Sequence, residues 1–480
     1  MLEVLPSFLK WFAVAANDNI YRDPSRFSHN EFTNQMVLHP SGVLGLCLAV
    51  ISLITLSRKH AIIPVVLLLC FIPSAQRILV GTVDFQFLRI LGIVGLLRIL
   101  VKAEYKGVRW KLADLVMLVF VGLPMITVFL RGVGGSFMNV AGQGLDLISM
   151  YLIGRCLMRD RAAWGNFALA MVIIGIPVLV AFTFEKFTSR NVFSLFGGVP
   201  EFTALRNGKL RAQGAFAHPI LAGVWWAAMT PIFLSMYYAH PNRTWGRMIA
   251  WFGVPISVTL VMLTASSTPI GGCLLGLGLW LIYPLRKQIV QLRWYIGIVL
   301  VALHFISKSG LHGLLMTRFT FVSGSTGYHR YLLIDAAIQR IPEWFLFGTR
   351  STYSWGWGLD DVTCQYVAAA VSGGIILLAC LLYMLVASTR AAYSIGQSKG
   401  VPSERWRNWL AWGLVSSIAV HALCFLAVTY FGQAIFLYAA TTGAAFSLGD
   451  LLKAAPAGSR RPLRRKPPEP TIGRRRVAPA

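Results

Sequence analysis

Apolar runs of helical length recur along almost the whole chain, from Val43 to Phe446, and they constrain the fold more than any other feature. Only 13% of the residues are charged, where a soluble domain has roughly 25%, and the mean hydropathy is +0.64. A helix needs about 17 to 25 apolar residues to cross a bilayer. The pattern therefore predicts an all-α, polytopic membrane bundle of about 12 to 14 transmembrane helices and excludes an ordinary soluble protein. The predicted spans are residues 40–57, 61–76, 86–101, 112–130, 137–154, 165–183, 219–238, 248–264, 268–284, 294–308, 365–388, 406–427 and 431–449.

Positive charge is gathered in short clusters between these runs. The chain has 44 Lys and Arg against 18 Asp and Glu, a formal net charge of +26. Loops rich in Lys and Arg are retained in the cytoplasm, so every second connection is assigned to that side and nucleic-acid binding is not expected. The basic connections contain Arg58 and Lys59; Lys102, Lys106, Arg109 and Lys111; Arg155, Arg159 and Arg161; Arg243 and Arg247; Arg286, Lys287 and Arg293; Arg390, Lys399, Arg405 and Arg407.

Three segments follow from this pattern. Residues 1–36 form an N-terminal segment with a predicted interfacial helix over residues 5–16, placed outside by the odd number of spans. Residues 37–450 form the transmembrane domain, with two long outward loops at 184–218 and 309–364. Residues 451–480 are rich in Pro, Ala and Arg, a composition that predicts a disordered cytoplasmic tail. This tail is expected either to lie against anionic lipid or to dock a partner.

Cysteine and carboxylate patterns give no metal or disulfide framework. Six of the seven cysteines fall within apolar runs, and only Cys364 lies near a loop. Asp360 and Asp361 are adjacent but lack a third ligand. We therefore expect no metal site and no cofactor.

The first outward loop ends in a cationic stretch that runs directly into a span. Arg206, Lys209 and Arg211 lie outside the membrane, against the usual charge bias, and Pro219 makes His218 the N-cap of the next helix. A guanidinium matches the oxygen geometry of a phosphate, which predicts binding of a phosphate or pyrophosphate group here. The alternative is that the cations are solvated or touch lipid headgroups while His218 only caps the helix.

The second outward loop contains a short amphipathic helix with His329 and Arg330 at its start. Its apolar positions, Tyr331, Ile334, Ile338 and Ile341, have helical spacing, and Pro342 is expected to end it. Such a helix lies flat on the bundle and directs its first residues toward a cleft. The alternative is an interfacial helix whose cations contact headgroups.

Further candidates follow this helix. Arg350, Trp355 and Trp357 are candidate substrate-binding residues, since aromatic rings stack on sugars, although tryptophans also anchor proteins at membrane interfaces. Asp361 is a candidate general base because a carboxylate beside arginines stays ionised, and its alternative role is a helix cap.

Arg89, Asp146 and His421 are the costly ionisable residues within predicted spans, whereas Arg98 lies near the cytoplasmic end of its span and can snorkel. Charged groups at membrane depth are costly, so they are functional candidates. Arg89 and Asp146 are also predicted to pair, and a purely structural ion pair is the alternative.

The order of features over about residues 200–390 resembles the O-antigen ligase and O-antigen polymerase superfamily of bacterial surface-polysaccharide proteins. The resembling motifs are residues 211–219 (RAQGAFAHP) opening a span, the turn 263–267 (LTASS), Arg330 opening an amphipathic helix, Phe347-Gly348 after a proline, and Gln365-Tyr366 followed by Gly373-Gly374. The resemblance implies transfer of a glycan from a polyprenyl pyrophosphate at the outer face of the bacterial cytoplasmic membrane, without metal or nucleotide sugar. Arg211 and Arg330 match the family's essential arginine positions.

Two positions depart from the family pattern. Ligases of the family usually carry a His-Asn pair where this chain has Thr363 and Cys364, and an arginine usually follows the serine-rich turn where this chain has Thr268. The first departure removes the ligase-type histidine base. Polymerase is therefore favoured over ligase, with His218, His329 or Asp361 as the replacement base.

The expected function is polymerisation of polyprenyl-pyrophosphate-linked repeat units into a surface polysaccharide. The expected partners are that lipid-linked glycan, membrane lipids and other polysaccharide assembly and export proteins. A ligase, a transporter or flippase of lipid-linked sugars, and a non-catalytic partner of a secretion complex are the alternatives. Most of the unusual polarity lies in the outward loops and no internal repeat is visible, which favours a transferase over a transporter.

Overall fold

The apolar runs form a helical bundle in a computed structural model that describes residues 37–81, 83–307, 310, 313, 327–396 and 405–454. The model is 75% helical, and the described sheet is limited to two short hairpins, which confirms the predicted helical class in its coarse form. The first helices are α1 (Pro40–Thr55), α2 (Ile63–Phe71), α3 (Phe87–Val101), α4 (Leu112–Leu130), α5 (Phe137–Leu157), α6 (Arg161–Thr188), α7 (Pro219–Ala239) and α8 (Arg243–Leu263). They are followed by α9 (Ser267–Leu281), α10 (Arg286–Ile306), α11 (Gly327–Gln339), α12 (Ile341–Trp344), α13 (Gln365–Gly396), α14 (Arg405–Cys424) and α15 (Gln433–Ala454). The hairpins pair β1 (Arg77–Val80) with β2 (Val83–Gln86), and β3 (Ala204–Arg206) with β4 (Lys209–Arg211).

Five of the described helices are long and apolar enough to cross a membrane. They are α4, α6, α7, α8 and α13. A sixth span results if α9 forms one broken crossing with Tyr283–Ile289, a 3-10 turn and the first residues of α10, which is bent by 64° relative to α9. Each of the thirteen predicted segments overlaps a helix, but the predicted 12 to 14 spans are not confirmed. Several of these helices are too short by themselves, such as α2 with 9 residues and α3 and α9 with 15 each.

The helix α7 is the centre of the bundle. Within its most apolar stretch 83% of the residues are buried, against 28% for α4 at the periphery. It packs against α8, α9 and α14, and the side chains of Trp225 and Trp226 lie fully in the core. Groups at the start of α7 are therefore held by the most buried of the five long apolar helices.

The helix α13 is broken at Gly373 and Gly374, where the backbone leaves the helical region. Gly374 has φ +70°, and the loop residue Gly348 has φ +81°. A Cβ at Gly348 would overlap the carbonyl oxygen of Val371, and one at Gly374 would overlap that of Leu346. These glycines let the loop after α12 pack backbone against backbone on the broken helix.

The predicted pair inside the bundle is present. Arg89 on α3 donates from Nε and Nη2 to the two carboxylate oxygens of Asp146 on α5, at 3.0 and 2.9 Å. A Cβ at Gly142 would overlap the guanidinium, so the glycine makes room for it. The bidentate geometry and burial of both side chains assign the two costly charges to one structural ion pair.

The first predicted loop is more ordered than expected. The helix α6 continues to Thr188 rather than ending at 183, and a 3-10 turn (Val192–Phe196) and the β3–β4 hairpin follow it. The helix predicted around residues 331–341 corresponds to α11, which ends at Gln339, and Pro342 lies in the first turn of α12. The predicted apolar face is wrong, because α11 buries Arg330, Leu333, Ala336 and Ala337 and leaves Ile338 exposed, as is Ile341 after it. The predicted N-terminal segment 1–36, most of the tail and residues 314–326 lie outside the described residues.

Candidate functional site

The β3–β4 hairpin presents the cations of the first loop. Its turn is Asn207-Gly208, both with positive φ (+48° and +73°), the conformation that a two-residue hairpin turn prefers. Lys209 is exposed beside the turn, whereas Arg211 at the end of β4 is buried. The chain then enters α7 through His218 and Pro219.

The segment between the hairpin and α7 is fixed by a buried carboxylate. Glu185, near the end of α6, accepts the backbone N–H groups of Gln213 at 3.0 Å and Gly214 at 2.9 Å, and the hydroxyl of Thr203 at 3.2 Å. Gly214 has φ +58°, and a Cβ there would overlap the ring of Phe182. A carboxylate that binds consecutive backbone amides in this way holds a loop in one conformation.

Other elements satisfy the remaining backbone groups of this segment. Lys186 donates to Leu210 O at 2.6 Å, Ala212 N donates to Leu263 O at 3.2 Å, Asn191 donates to Gly214 O at 2.8 Å, and Gln433 donates to Ala215 O at 2.8 Å. The anchors come from α6, the end of α8, the loop after α6 and α15. The segment that carries Arg211 and His218 is thus preorganised by four separate parts of the fold.

Arg211 reaches from the hairpin to the serine-rich turn. Its Nη2 donates to the hydroxyl of Ser266 at 2.8 Å, while its Nε is buried with no hydrogen-bond partner among the described residues. Burial, together with the nearby Arg206 and Arg330, lowers the pKa of Arg211 to about 10. The side chain therefore remains a cation at neutral pH, with donor capacity unused.

Arg330 approaches from the other loop. It lies in the first turn of α11, is only 6% exposed, and its Nε is also buried without a hydrogen-bond partner in the described part of the chain. Burial, followed by the charge of Arg206, lowers the pKa of Arg330 to about 10, and the charge of Asp361 acts in the opposite direction. Two buried arginines from loops more than a hundred residues apart thus interact across one site.

His218 completes the group. Its Nδ1 accepts the backbone N–H of Ile220 at 3.1 Å, so the imidazole caps α7 as predicted. Burial, and then the charges of Arg211, Arg206 and Arg330, lower the pKa of His218 to about 3. We call Arg206, Arg211, Arg330 and His218 the cationic cluster. Concentrated positive charge with unused N–H donors is the chemistry of an oxyanion site.

Two of the predicted base candidates lie at the edge of this cluster. Asp361 is exposed and its charge interacts with Arg330. The Nε2 of His329 lies 2.8 Å from the carbonyl oxygen of Gly358, which can only accept, so Nε2 carries a proton. In the neutral ring Nδ1 then holds the lone pair.

Two other predicted substrate-binding residues, Arg350 and Trp355, make their hydrogen bonds outside the cluster. The Nε of Arg350 donates to Arg131 O at 2.8 Å, in the turn after α4. Trp355 is 7% exposed and its indole N–H is bonded to Glu343 at 2.9 Å, so its ring is covered rather than offered to a sugar. Trp357 is fully exposed.

Thr363 and Cys364 stand where ligases of the resembling superfamily usually carry a His-Asn pair. Cys364 is 1% exposed, and burial raises the pKa of its thiol, which keeps it protonated. The hydroxyl of Thr363 is buried without a hydrogen-bond partner among the described residues. Neither residue is suited to accept a proton at neutral pH.

His421 belongs to a separate buried layer. Its Nδ1 lies 2.9 Å from the hydroxyl of Tyr430, and the ring is fully buried on α14.

Among the described residues, no three His, Cys, Asp or Glu side chains come together in an arrangement that could hold a metal ion. The unused hydrogen-bonding capacity around the cluster is on cationic donors, which suit an anion.

Sequence reasoning missed Glu185 and Gln433, which fix the segment bearing Arg211 and His218. Glu185 comes just after the apolar run of residues 165–183. An acidic residue so close to a predicted span was the sequence signal that could have identified it. Nothing in the sequence singled out Gln433, since a neutral amide after a turn is ordinary.

No protein-family model matches this chain, and no curated protein matches it in sequence.

Proposed function

We propose that this protein polymerises polyprenyl-pyrophosphate-linked oligosaccharide repeat units into a surface polysaccharide, as a metal-independent glycosyltransferase of the O-antigen polymerase type. The observation that carries the proposal is the convergence of Arg211 and Arg330, from two separate loops, with a buried and unpartnered Nε–H on each. A pyrophosphate offers several acceptor oxygens to such donors, and its negative charge balances the positive charge of the two arginines.

The proposed location is the outer face of a bacterial cytoplasmic membrane, with all thirteen predicted segments crossing and the C-terminus in the cytoplasm. The helix α6 begins at Arg161, in a basic connection, and ends beside Glu185 and the cationic cluster. The helix α13 runs the other way, from Gln365 near the cluster to the region of Arg390. The cluster and the basic connections are therefore at opposite ends of these helices, which supports an outward cluster by the positive-inside rule.

The proposed reaction is a displacement at the anomeric carbon of the donor glycan. A hydroxyl oxygen of the acceptor glycan forms a bond to that carbon, and the bond from the carbon to the pyrophosphate oxygen breaks with its electron pair. Arg211 and Arg330 stabilise the negative charge that develops on the leaving pyrophosphate. One of the three candidate bases, His218, His329 through Nδ1, or Asp361, accepts the hydroxyl proton.

The contacts of Arg89 and Asp146 bear on the transporter alternative. These were the charges that supported transport, and they form a buried bidentate pair with each other. The serine-rich turn and the arginine motif of the resemblance are in contact through Arg211 and Ser266, and Phe347-Gly348 packs on the Gly373-Gly374 break. These contacts favour a transferase site built from both outward loops.

The test is polymer synthesis by the purified full-length protein from lipid-linked repeat units, with products separated by size. We expect Arg211→Ala and Arg330→Ala to lower the rate about 100-fold or more, the scale of losing one transition-state donor. Arg340→Ala, an exposed arginine paired with Glu343 in the same region, is the matched control and should stay within about twofold. Full polymer from both variants would refute the proposal. Transfer of a preformed long glycan to an acceptor, without chain growth, would assign a ligase instead.

A further inference from the structure

We propose that His218 acts in this site as a neutral hydrogen-bond donor, through Nε2–H, to the pyrophosphate oxygens of the substrate, and not as the proton acceptor. This inference rests on the proposed function, since it assigns a role within the same anion site. It removes one of the three candidate bases and adds a third element to substrate binding.

The geometry of the helix cap determines where the imidazole proton lies. The backbone N–H of Ile220 points at Nδ1 of His218 at 3.1 Å, so Nδ1 must present a lone pair. A neutral imidazole has one protonated nitrogen, which leaves the proton on Nε2. In this tautomer the lone pair that a general base needs is already used by the cap.

The surroundings oppose a second proton on the ring. The hairpin contributes Arg206 and Arg211, α11 contributes Arg330, and the positive end of the α7 dipole lies under the imidazole. Burial and these charges lower the pKa of His218 to about 3, so an imidazolium would be strongly disfavoured during turnover. Asp361, the nearest carboxylate acting on Arg330, is exposed at the edge of the cluster.

The Nε2–H of His218 makes no hydrogen bond within the described ranges of the chain, where the imidazole bonds only through Nδ1. The buried Nε of Arg211 and of Arg330 likewise has no hydrogen-bond partner there. Three N–H donors from α7, the hairpin and α11 thus remain available in one region of mutually interacting charges. An anion with several oxygens, such as a pyrophosphate, can accept from all three.

Asparagine and glutamine substitutions separate the possible roles. His218→Asn keeps a good N-cap, because asparagine accepts from the first-turn amides, but its short side chain cannot reach to the Nε2 position. His218→Gln places an amide N–H near the Nε2 position and weakens the cap. Neither variant can accept a proton at neutral pH. His218→Ser is a second variant that keeps the cap and lacks the donor.

The experiment measures binding of inorganic pyrophosphate and polymer synthesis, both with purified full-length protein in detergent. We expect His218→Asn and His218→Ser to weaken pyrophosphate binding about 10-fold and to slow synthesis by a similar factor, the scale of one hydrogen bond to a charged group. His218→Gln should stay within about threefold in both measurements, and Arg340→Ala should match the wild type.

Each other outcome identifies a different failure. If all three His218 variants lose synthesis while their pyrophosphate binding is unchanged, His218 is the proton acceptor and the inference is wrong. If His218→Asn and His218→Ser behave as wild type, His218 only caps α7 and the inference is again wrong. If the wild type binds no pyrophosphate, or Arg211→Ala does not weaken its binding, the proposed function itself fails and the inference falls with it.

Discussion

Arg211 donates a hydrogen bond from Nη2 to the hydroxyl of Ser266, 55 residues further along the chain, at 2.8 Å. The hydroxyl of Ser266 in turn donates to Thr264 O at 2.9 Å. The serine thus orients one side of the guanidinium and leaves its Nε free to bind a ligand. The relationship explains why a serine-rich turn accompanies an arginine motif that lies so far from it in sequence.

Replacing Ser266 should leave the charge of Arg211 in place but remove the hydrogen bond that orients its guanidinium. We expect Ser266→Ala to lower the rate of polymer synthesis roughly 10-fold, because one hydrogen bond to a charged group is lost, while the melting temperature stays close to that of the wild type. Thr389→Ala on α13, whose hydroxyl bonds only to its own helix at Leu385 O, is the matched control. An equal loss of rate in the control, or an unchanged rate in Ser266→Ala, would contradict the orienting role.

The glycines at the α13 break should be intolerant of any side chain. Gly348→Ala and Gly374→Ala each place a Cβ against a backbone carbonyl and force alanine to a positive φ. We expect each to destabilise the protein by about 2 kcal/mol or more, measured as thermal unfolding in detergent. Gly278→Ala on α9 has open space around the new Cβ and should be neutral or stabilising. Equal melting temperatures for all three variants would show that the break does not depend on these glycines.

The ion pair of Arg89 and Asp146 should behave as a structural unit. Arg89→Met or Asp146→Asn alone leaves a buried charge without its partner, so each should destabilise by about 3 kcal/mol. The double variant removes both charges and should be more stable than either single variant. The comparison is made by denaturant unfolding. We also expect the double variant to keep polymer synthesis. If a fully folded double variant lost synthesis, Arg89 and Asp146 would have a functional role.

His218 should make the protein sensitive to acid. The folded protein holds the pKa of His218 at about 3, below the ordinary 6.5, so the unfolded chain binds the proton more readily. Stability should therefore fall as pH drops from about 6.5 toward 3, by up to about 1.4 kcal/mol per pH unit for this one group. His218→Asn keeps the cap without titrating, so its stability should fall less over the same range. Arg211 and Arg330, with pKa values of about 10, stay charged throughout. Unfolding curves at pH 4, 5, 6 and 8 test this, and parallel losses in the two proteins would contradict it.

The helix positions followed from the sequence because each long apolar run forms one helix. The number of crossings did not follow, since hydropathy cannot distinguish a full span from a short helix such as α2, whose nine residues pack inside the bundle. The pairing of Arg89 with Asp146 was predictable because two opposite charges at membrane depth have few other ways to be stabilised.

The interior of the candidate site was less predictable. Arg211, Arg330 and His218 were identified from their motifs, but Glu185 acts on backbone amides, which leave no side-chain pattern in the sequence. The indole N–H of Trp355 is bonded to Glu343, a residue of α12. Nothing in the Trp-Gly run of the sequence indicates this contact.

The anchor at Ala215 has a consequence for biosynthesis. The segment that carries Arg206, Arg211 and His218 is complete once residues up to about 218 have left the ribosome, yet one of its carbonyls is held by Gln433, at the start of α15. Until that residue is synthesised, the carbonyl of Ala215 lacks the partner it has in the folded protein. The cluster thus reaches its final form only near the end of translation, so a nascent chain stalled before α15 would carry every arginine of the cluster in a site that is not yet closed.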